Sequence, residues 1–353
     1  GDAEQFDVVV TAVGTLDVPN IPDLPGAELF GGRMFHSSGW DHSRSTAGER
    51  VAVIETGASA IQFVPEIAAE AAHLTIFQRT PIWVSPRFDD PFTSEQQELF
   101  EHDPAEALKI RDAAFQQYEM ANFYADSELT KMLTEVAYTY LNRKVADPEL
   151  RAKLLPDYPV GCKRPLMSRT WFPVFSLPHV ALETAPLTGF TADGLVTEGG
   201  TEHRLDTVVF GTGFRAADYL SSLEVYYGTA VPGYPNLFTL YGPNTNGVTS
   251  VIYILEAQSA LIRRLLDAMT DDGMVTIEVR RDVHDAYNAE IQAAMAGTVW
   301  LACDNYFRDP NGKVVTQFPY SGKTFADKLH SLTRDDFCWT ARWTPVSAQL
   351  ARR

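Results

Sequence analysis

Glu55-Thr-Gly-Ala-Ser-Ala60 sits between the apolar run Val51–Ile54 and a helical stretch beginning at Ile61. A Gly-x-Gly-x-x-Gly/Ala turn in that place binds dinucleotides. Its glycines permit a tight turn and let the backbone approach a pyrophosphate, which the helix N-terminus attracts. Here Gly57 holds the second position and Ala60 the third, with Thr56, Ser59 and Gln62 as the accompanying polar positions. Glu55 stands where the first glycine belongs. A carboxylate and a Cβ at that point crowd the turn and repel phosphate, so a strand-to-helix turn with no ligand also fits. Farther along, an acidic residue would hold the ribose of NAD, whereas a basic one accommodates the extra phosphate of NADP. Phe77-Gln-Arg-Thr-Pro81 places Arg79 and Thr80 there, which favours NADP.

Two further segments could carry chemistry. Gly161-Cys-Lys-Arg-Pro165 sets Lys163 beside Arg164. Such a pair is either a solvated basic patch or a source of fixed cations, and arginine suits the second role because it stays protonated and offers a fork of donors. Phe30-Gly-Gly-Arg-Met-Phe-His-Ser-Ser-Gly-Trp-Asp41 places His36 among aromatics. A histidine so placed is more often packed and hydrogen-bonded than a base. The neighbouring His42 has no third partner for a metal, and no metal site is expected.

These residues need a scaffold, and the pattern supplies one. Val51–Ile54 and Leu74–Phe77 read as strands buried on both faces, joined by a helix over 61–70 despite Pro65. This strand–turn–helix–strand unit has the size of one crossover of a doubly wound sheet. Residues 93–155 read as a helical insertion. Strands resume at Val180–Glu183 and Thr207–Phe210, with an antiparallel excursion over 187–201 between them. Phe6–Ala12 reads as a buried strand, Leu237–Tyr241 as another and Val275–Val279 as a third, with helices over Ile252–Asp271 and Val283–Met295. The fold class expected is α/β: a doubly wound Rossmann-type NADP domain with a helical insertion, plus an incomplete FAD-binding domain.

The chain has 353 residues and a formal charge of −17. So negative a surface repels phosphate backbones, so no nucleic-acid partner is expected. No apolar run is long enough to span a bilayer and no signal peptide opens the chain. Cys162, Cys303 and Cys338 are odd in number and widely spaced, which suits neither a disulfide framework nor zinc and points to a reducing, cytoplasmic setting.

Taken in order, the segments resemble the class B flavoprotein monooxygenases of Baeyer–Villiger type. The similarity runs through Ala12-Val-Gly-Thr-Leu-x-x-Pro-x-x-Pro, the Phe30–Asp41 fingerprint, the turn at 55–60 and Phe-Gln-Arg-Thr-Pro. It continues through Gly-Cys-Lys-Arg-Pro, Gly211-Thr-Gly-Phe214 and Pro235-Asn-Leu-Phe-x-Leu-Tyr-Gly-Pro-Asn244. The resemblance implies that NADPH reduces FAD, which activates O2 to oxygenate a ketone or heteroatom substrate. It implies a catalytic role for Arg164 and a grip on the NADP phosphate by Lys163, Arg79 and Thr80. It also implies cofactor contacts at Gly213, Asn244 and Tyr306, and a structural role for His36.

The sequence departs from that pattern in lacking the flavin-type Gly-x-Gly-x-x-Gly after a first strand, and at Glu55. The expected layout is therefore a remnant of the FAD domain with linker and fingerprint at 1–43, an NADP domain at 44–180, and further FAD-domain segments at 181–353. Two readings follow: an oxygenase whose flavin-binding half is missing here or comes from a separate chain, or an inactive fold remnant that serves as a binding or partner protein.

Overall fold

The computed structural model describes residues 4–87, 89–119, 127–221, 223–247 and 249–341. The chain divides into two compact units, one of Gly1–Thr15, Phe92–Phe123 and Ala216–Arg353, the other of Leu16–Pro91 and Tyr124–Arg215.

The second unit is built on a five-stranded parallel sheet, in the order Arg33–His36, Thr207–Phe210, Arg50–Ile54, His73–Phe77, Val180–Glu183. Strands in such a sheet are covered on both faces and so read as unbroken apolar runs. On one face Val51, Val53, Leu74 and Ile76 are fully buried with Ile61, Val64 and Ile67 of the Ala60–Glu70 helix and with Trp171 and Phe172. Burying each such side chain contributes about 1.5–3 kcal/mol, enough together to offset the hydrogen bond lost at Pro65, which stands inside the helix. On the other face Ala52, Ile54, Val208 and Phe210 pack with Phe30, Phe190 and Leu195. The last two come from an antiparallel three-stranded sheet, Leu187–Thr191, Gly194–Thr197 and Glu202–Arg204. The expected excursion after Val180–Glu183 is this sheet.

The strand Thr207–Phe210 differs from the expected layout. It lies between Arg33–His36 and Arg50–Ile54, paired Phe210 to Ile54 and to His36, and so belongs with the turn at 55–60 rather than with the rest of 181–353. This insertion makes the sheet change direction of winding beside Arg50–Ile54. In open parallel sheets ligands bind at the carboxyl ends of the strands flanking that point. A network at the opposite ends of the strands fixes the order. Arg33 donates to Glu49, Asp41 and Thr207. Arg50 forks onto Asp206 and, with its own backbone N–H, holds that carboxyl down at about 2.

The fingerprint segment serves this sheet. Phe30 lies in the core, 5.7 Å from Phe190. A Cβ at Gly32 would collide with the Phe30 ring and stand 2.6 Å from the Asp206 carbonyl oxygen, so only glycine fits. Trp40 packs edge-on against Phe35 at 5.2 Å and Phe63 at 5.3 Å.

The first unit pairs Val9–Thr11 with Leu237–Thr239 in parallel and Met274–Val279 with Phe337–Ala341 in antiparallel. The helices Val251–Asp271, Arg281–Ala294 and Gly322–Ser331 belong to the same unit. The apolar run at 6–12 gives a strand as expected, but not a buried one: Phe6 is 66% exposed and Val9 and Val10 are 42% exposed each. Among the described residues this strand has Leu237–Thr239 as its sheet neighbour, and one neighbour leaves its faces open.

The stretch 93–155 is helical as expected, in four helices, Ser94–His102, Pro104–Glu119, Glu128–Lys144 and Pro148–Leu154; residues 120–126 lie outside the described ones. The first two helices fall in the first unit and the last two in the second. Of the three cysteines, Cys338 is free and exposed. Among the described residues no helix is long and apolar enough to cross a membrane.

Candidate functional site

The turn leaving Arg50–Ile54 begins at Glu55, whose backbone has φ +79°. That left-handed conformation suits glycine, and a side chain there costs about 1–2 kcal/mol. The turn therefore takes a conformation that glycine would adopt freely, held by the Glu55 N–H donating to the Phe77 carbonyl at 2.9 Å. Thr56 is buried, and its hydroxyl donates to the Thr80 carbonyl at 3.3 Å, which ties the turn to the end of the next strand. Around Gly57 the protein leaves space: a Cβ there would meet nothing nearer than the Gly211 carbonyl oxygen at 4.0 Å. The protein's own packing does not demand glycine at that position, whereas a pyrophosphate pressed against the backbone would.

Ala60 is fully buried where the helix meets the strand ends, and a Cβ at Gly211 would stand 3.6 Å from the Ala60 Cβ. A larger residue at 60 would push the helix away. Ser59 precedes the helix without spending its side chain on a cap, and no acidic residue occupies the first helical turn. The positive end of the helix dipole is thus not neutralised from within the helix. Gln62 is exposed and donates to the Ala58 carbonyl at 2.7 Å.

Beside this turn runs Gly211-Thr-Gly-Phe214. The Gly211 N–H donates to the Ile54 carbonyl at 2.9 Å, and next to it the Thr212 hydroxyl oxygen is buried without a hydrogen-bond partner. A buried hydroxyl lacking a protein partner is free to bond an ordered water or a ligand. Sequence reasoning singled out Gly213 in this segment and missed Thr212, because only the fold shows which hydroxyl is left over. Gly213 itself has φ +74°, and its carbonyl accepts from the Asn20 N–H at 2.9 Å and from His36 Nε2 at 3.0 Å.

His36 is 5% exposed. The Ser38 N–H donates to its Nδ1 at 3.2 Å, so the proton of the neutral ring sits on Nε2 and points at Gly213. The ring also packs edge-on against Phe214 at 5.3 Å. Burial lowers the His36 pKa, opposed in part by the Gly213 hydrogen bond. This histidine fastens the fingerprint to the 211–214 turn, as its packed surroundings suggested.

The sign of its pH effect follows. With the folded pKa below the unfolded one, the neutral ring stabilises the fold fully above the ordinary imidazole range, and this is lost as pH falls through the folded value. Chemical denaturation at pH 8 and pH 5.5 should therefore show a loss of stability on acidification that is smaller in His36→Gln. An equal loss in both would assign the effect to other groups.

Arg79 and Thr80 lie at the end of His73–Phe77, as expected. Arg79 Nε is 3.2 Å from a Glu55 carboxylate oxygen. Lys163 stands over the Tyr158 ring at 5.2 Å. The Tyr158 hydroxyl donates to the Pro81 carbonyl at 2.8 Å, and the Trp83 indole donates to the Tyr158 carbonyl at 2.7 Å. Burial, with Asp157 adding to it, pushes the Tyr158 pKa up, so the hydroxyl remains a donor. The fold thus brings the Lys163 segment against the Arg79–Pro81 segment through a tyrosine that sequence reasoning did not single out. Arg164, next to Lys163, is exposed.

The remaining expected contacts, Asn244 and Tyr306, belong to the first unit. Asn244 has φ +55°, and its amide donates to the Val314 carbonyl at 3.0 Å and the Gln317 carbonyl at 2.8 Å. Both amide hydrogens are spent inside the protein. Tyr306 is 50% exposed, its ring 4.4 Å from that of Phe307.

The family described as Flavin-binding monooxygenase-like matches residues 1–101. A Baeyer-Villiger monooxygenase of Pseudomonas aeruginosa is 34% identical over 99% of this chain and 70% of its own length. One of Streptomyces coelicolor is 35% identical over 98% of this chain and 71% of its own. The chain belongs to the Baeyer–Villiger monooxygenase family. A closed crystal structure of cyclohexanone monooxygenase superposes with a TM-score of 0.82, at 23% identity, over 95% of this chain and 75% of that one. A structure of OTEMO in complex with FAD and NADP gives the same values. At that identity the likeness establishes the α/β fold of these monooxygenases. Each Baeyer–Villiger relative is matched as one longer chain, so a separate chain for a flavin-binding half finds no support.

Proposed function

We propose that this chain takes part in an NADPH- and FAD-dependent monooxygenation, placing one oxygen atom of O2 into a ketone or a soft heteroatom. The observation that carries the reading is the arrangement at the switch point of the five-stranded sheet. A turn of dinucleotide shape with open space over Gly57 adjoins a buried, unpartnered Thr212 hydroxyl, and the Arg79–Pro81 and Lys163 segments are tied to that edge. These residues fit a nicotinamide dinucleotide. The helix N-terminus and the Gly57 backbone would hold the pyrophosphate, with Thr56, Ser59 and Gln62 around it. Thr80 and the two cations would take the 2′-phosphate. Bound FAD would supply the activation of O2 by electrons from NADPH. Arg164 would present a permanently protonated fork to the oxygen that develops negative charge. Gly213 would bound the dinucleotide beside the 55–60 turn, and within the first unit Asn244 and Tyr306 would contact a cofactor. NADPH is an intracellular reductant, which makes the cytoplasm the proposed compartment.

The test is direct. The protein is supplied with FAD and desalted, then given NADPH and a panel of cyclic and linear ketones and sulfides. NADPH oxidation at 340 nm, oxygen uptake and product mass are followed together. Ester, lactone or sulfoxide formed in step with oxygen uptake supports the proposal. A protein that binds NADP+ in no titration removes it.

A further inference from the structure

The ion pair between Glu55 and Arg79 places an acidic side chain inside the subsite proposed for the 2′-phosphate. We propose that Glu55 determines cofactor specificity: its carboxylate holds the Arg79 guanidinium, so the 2′-phosphate of NADP(H) must displace it, and the preference for NADP(H) over NAD(H) is thereby reduced. The inference rests on the dinucleotide reading of this turn.

Three observations carry it. The Glu55 backbone lies in the left-handed region that favours glycine, yet the position carries a carboxylate that reaches Arg79. The Arg79 side chain is 83% exposed, so a ligand can reach it, while that of Glu55 is only 24% exposed and sits close against the protein. The pair joins the first position of the turn to the end of the following strand, the two places that a dinucleotide spans between its pyrophosphate and its adenosine ribose. A second anion entering there meets both a competitor for the guanidinium and a like charge. NAD(H) has a neutral hydroxyl at the same place, which needs no arginine and can donate to a carboxylate. The cost of Glu55 therefore falls on the phosphorylated cofactor.

Binding is measured without turnover, by calorimetric titration of the full chain with NADP+, NAD+ and 2′,5′-ADP. Glu55→Gln keeps the size of the side chain and removes its charge, while Glu55→Gly also restores the backbone freedom of the turn. Glu55→Gln should bind NADP+ and 2′,5′-ADP about five- to tenfold more tightly, the scale of one partly exposed charged contact, with NAD+ affinity unchanged or weaker. In an Arg79→Ala background Glu55→Gln should lose most of that gain. An unchanged ratio of NADP+ to NAD+ affinity in Glu55→Gln, with both nucleotides binding, overturns the inference and leaves the dinucleotide reading standing. If neither the parent nor either variant binds any of the three ligands while thermal unfolding shows all are folded, the dinucleotide reading fails and this inference with it.

Discussion

Arg164→Ala is expected to lower oxygenated product by about a hundredfold or more, the scale on which one preorganised donor to a developing oxyanion acts. NADP+ affinity should stay within about twofold, since the phosphate-facing cation is assigned to Lys163 and Arg79 rather than to Arg164. The side chain is exposed, and among the described residues no ion pair or hydrogen bond holds its guanidinium, so its removal leaves no orphaned partner and the fold should survive. Arg164→Lys keeps a charge but loses the planar fork, and should recover only part of the lost product. The readout is the amount of product per NADPH consumed, because reduction can continue when oxygen transfer fails. Product formed by Arg164→Ala at the parental rate and yield would remove the catalytic role and return Lys163–Arg164 to the solvated basic pair.

The elements that read correctly from sequence are those whose apolar pattern matches the burial that the sheet gives them. Val51–Ile54, Leu74–Phe77 and Thr207–Phe210 are buried throughout and, Thr75 and Thr207 apart, apolar, because both faces of a parallel sheet are covered. The position of Thr207–Phe210 between two much earlier strands was not legible, since strand order depends on pairings between distant segments that no local pattern records. Phe6–Ala12 shows the limit from the other side. Its pattern matches that of the inner strands, yet Val9 and Val10 are exposed, because a strand's burial is provided by its neighbours.

At the site, Gly57, Ala60 and Arg79 were legible because a turn fingerprint is a matter of spacing. Glu55 was legible as a departure, but not that its carboxylate would reach Arg79, which depends on a backbone angle and a rotamer. Thr212 and Tyr158 were not legible at all. The first matters for what it fails to touch, the second for joining Lys163 to Pro81. Asn244 shows a recognised position whose donors the fold spends on its own carbonyls.

Gly57→Val separates the binding of a dinucleotide from the needs of the fold more sharply than any other single change in the turn. Most glycines here resist substitution for reasons internal to the protein: a Cβ at Gly32 meets the Asp206 carbonyl oxygen at 2.6 Å, and one at Gly189 meets that of Pro25 at 2.8 Å. Gly57 differs, because its backbone is not in the left-handed region and the nearest atom to an added Cβ is 4.0 Å away. The folded protein should therefore accept valine with a stability change within about 1 kcal/mol, as at an unstrained, uncrowded site. A pyrophosphate cannot accept it, since the branched side chain fills the space through which the phosphates reach the backbone N–H groups and the helix N-terminus. Affinity for NADP+ and NAD+ should fall together, by about a hundredfold, with Gly57→Ala in between. Denaturation midpoints measured beside the nucleotide titrations decide the matter. If Gly57→Val unfolds the protein, the space over the turn is not free as described. If it folds and still binds nucleotide at parental strength, the pyrophosphate does not lie on this turn.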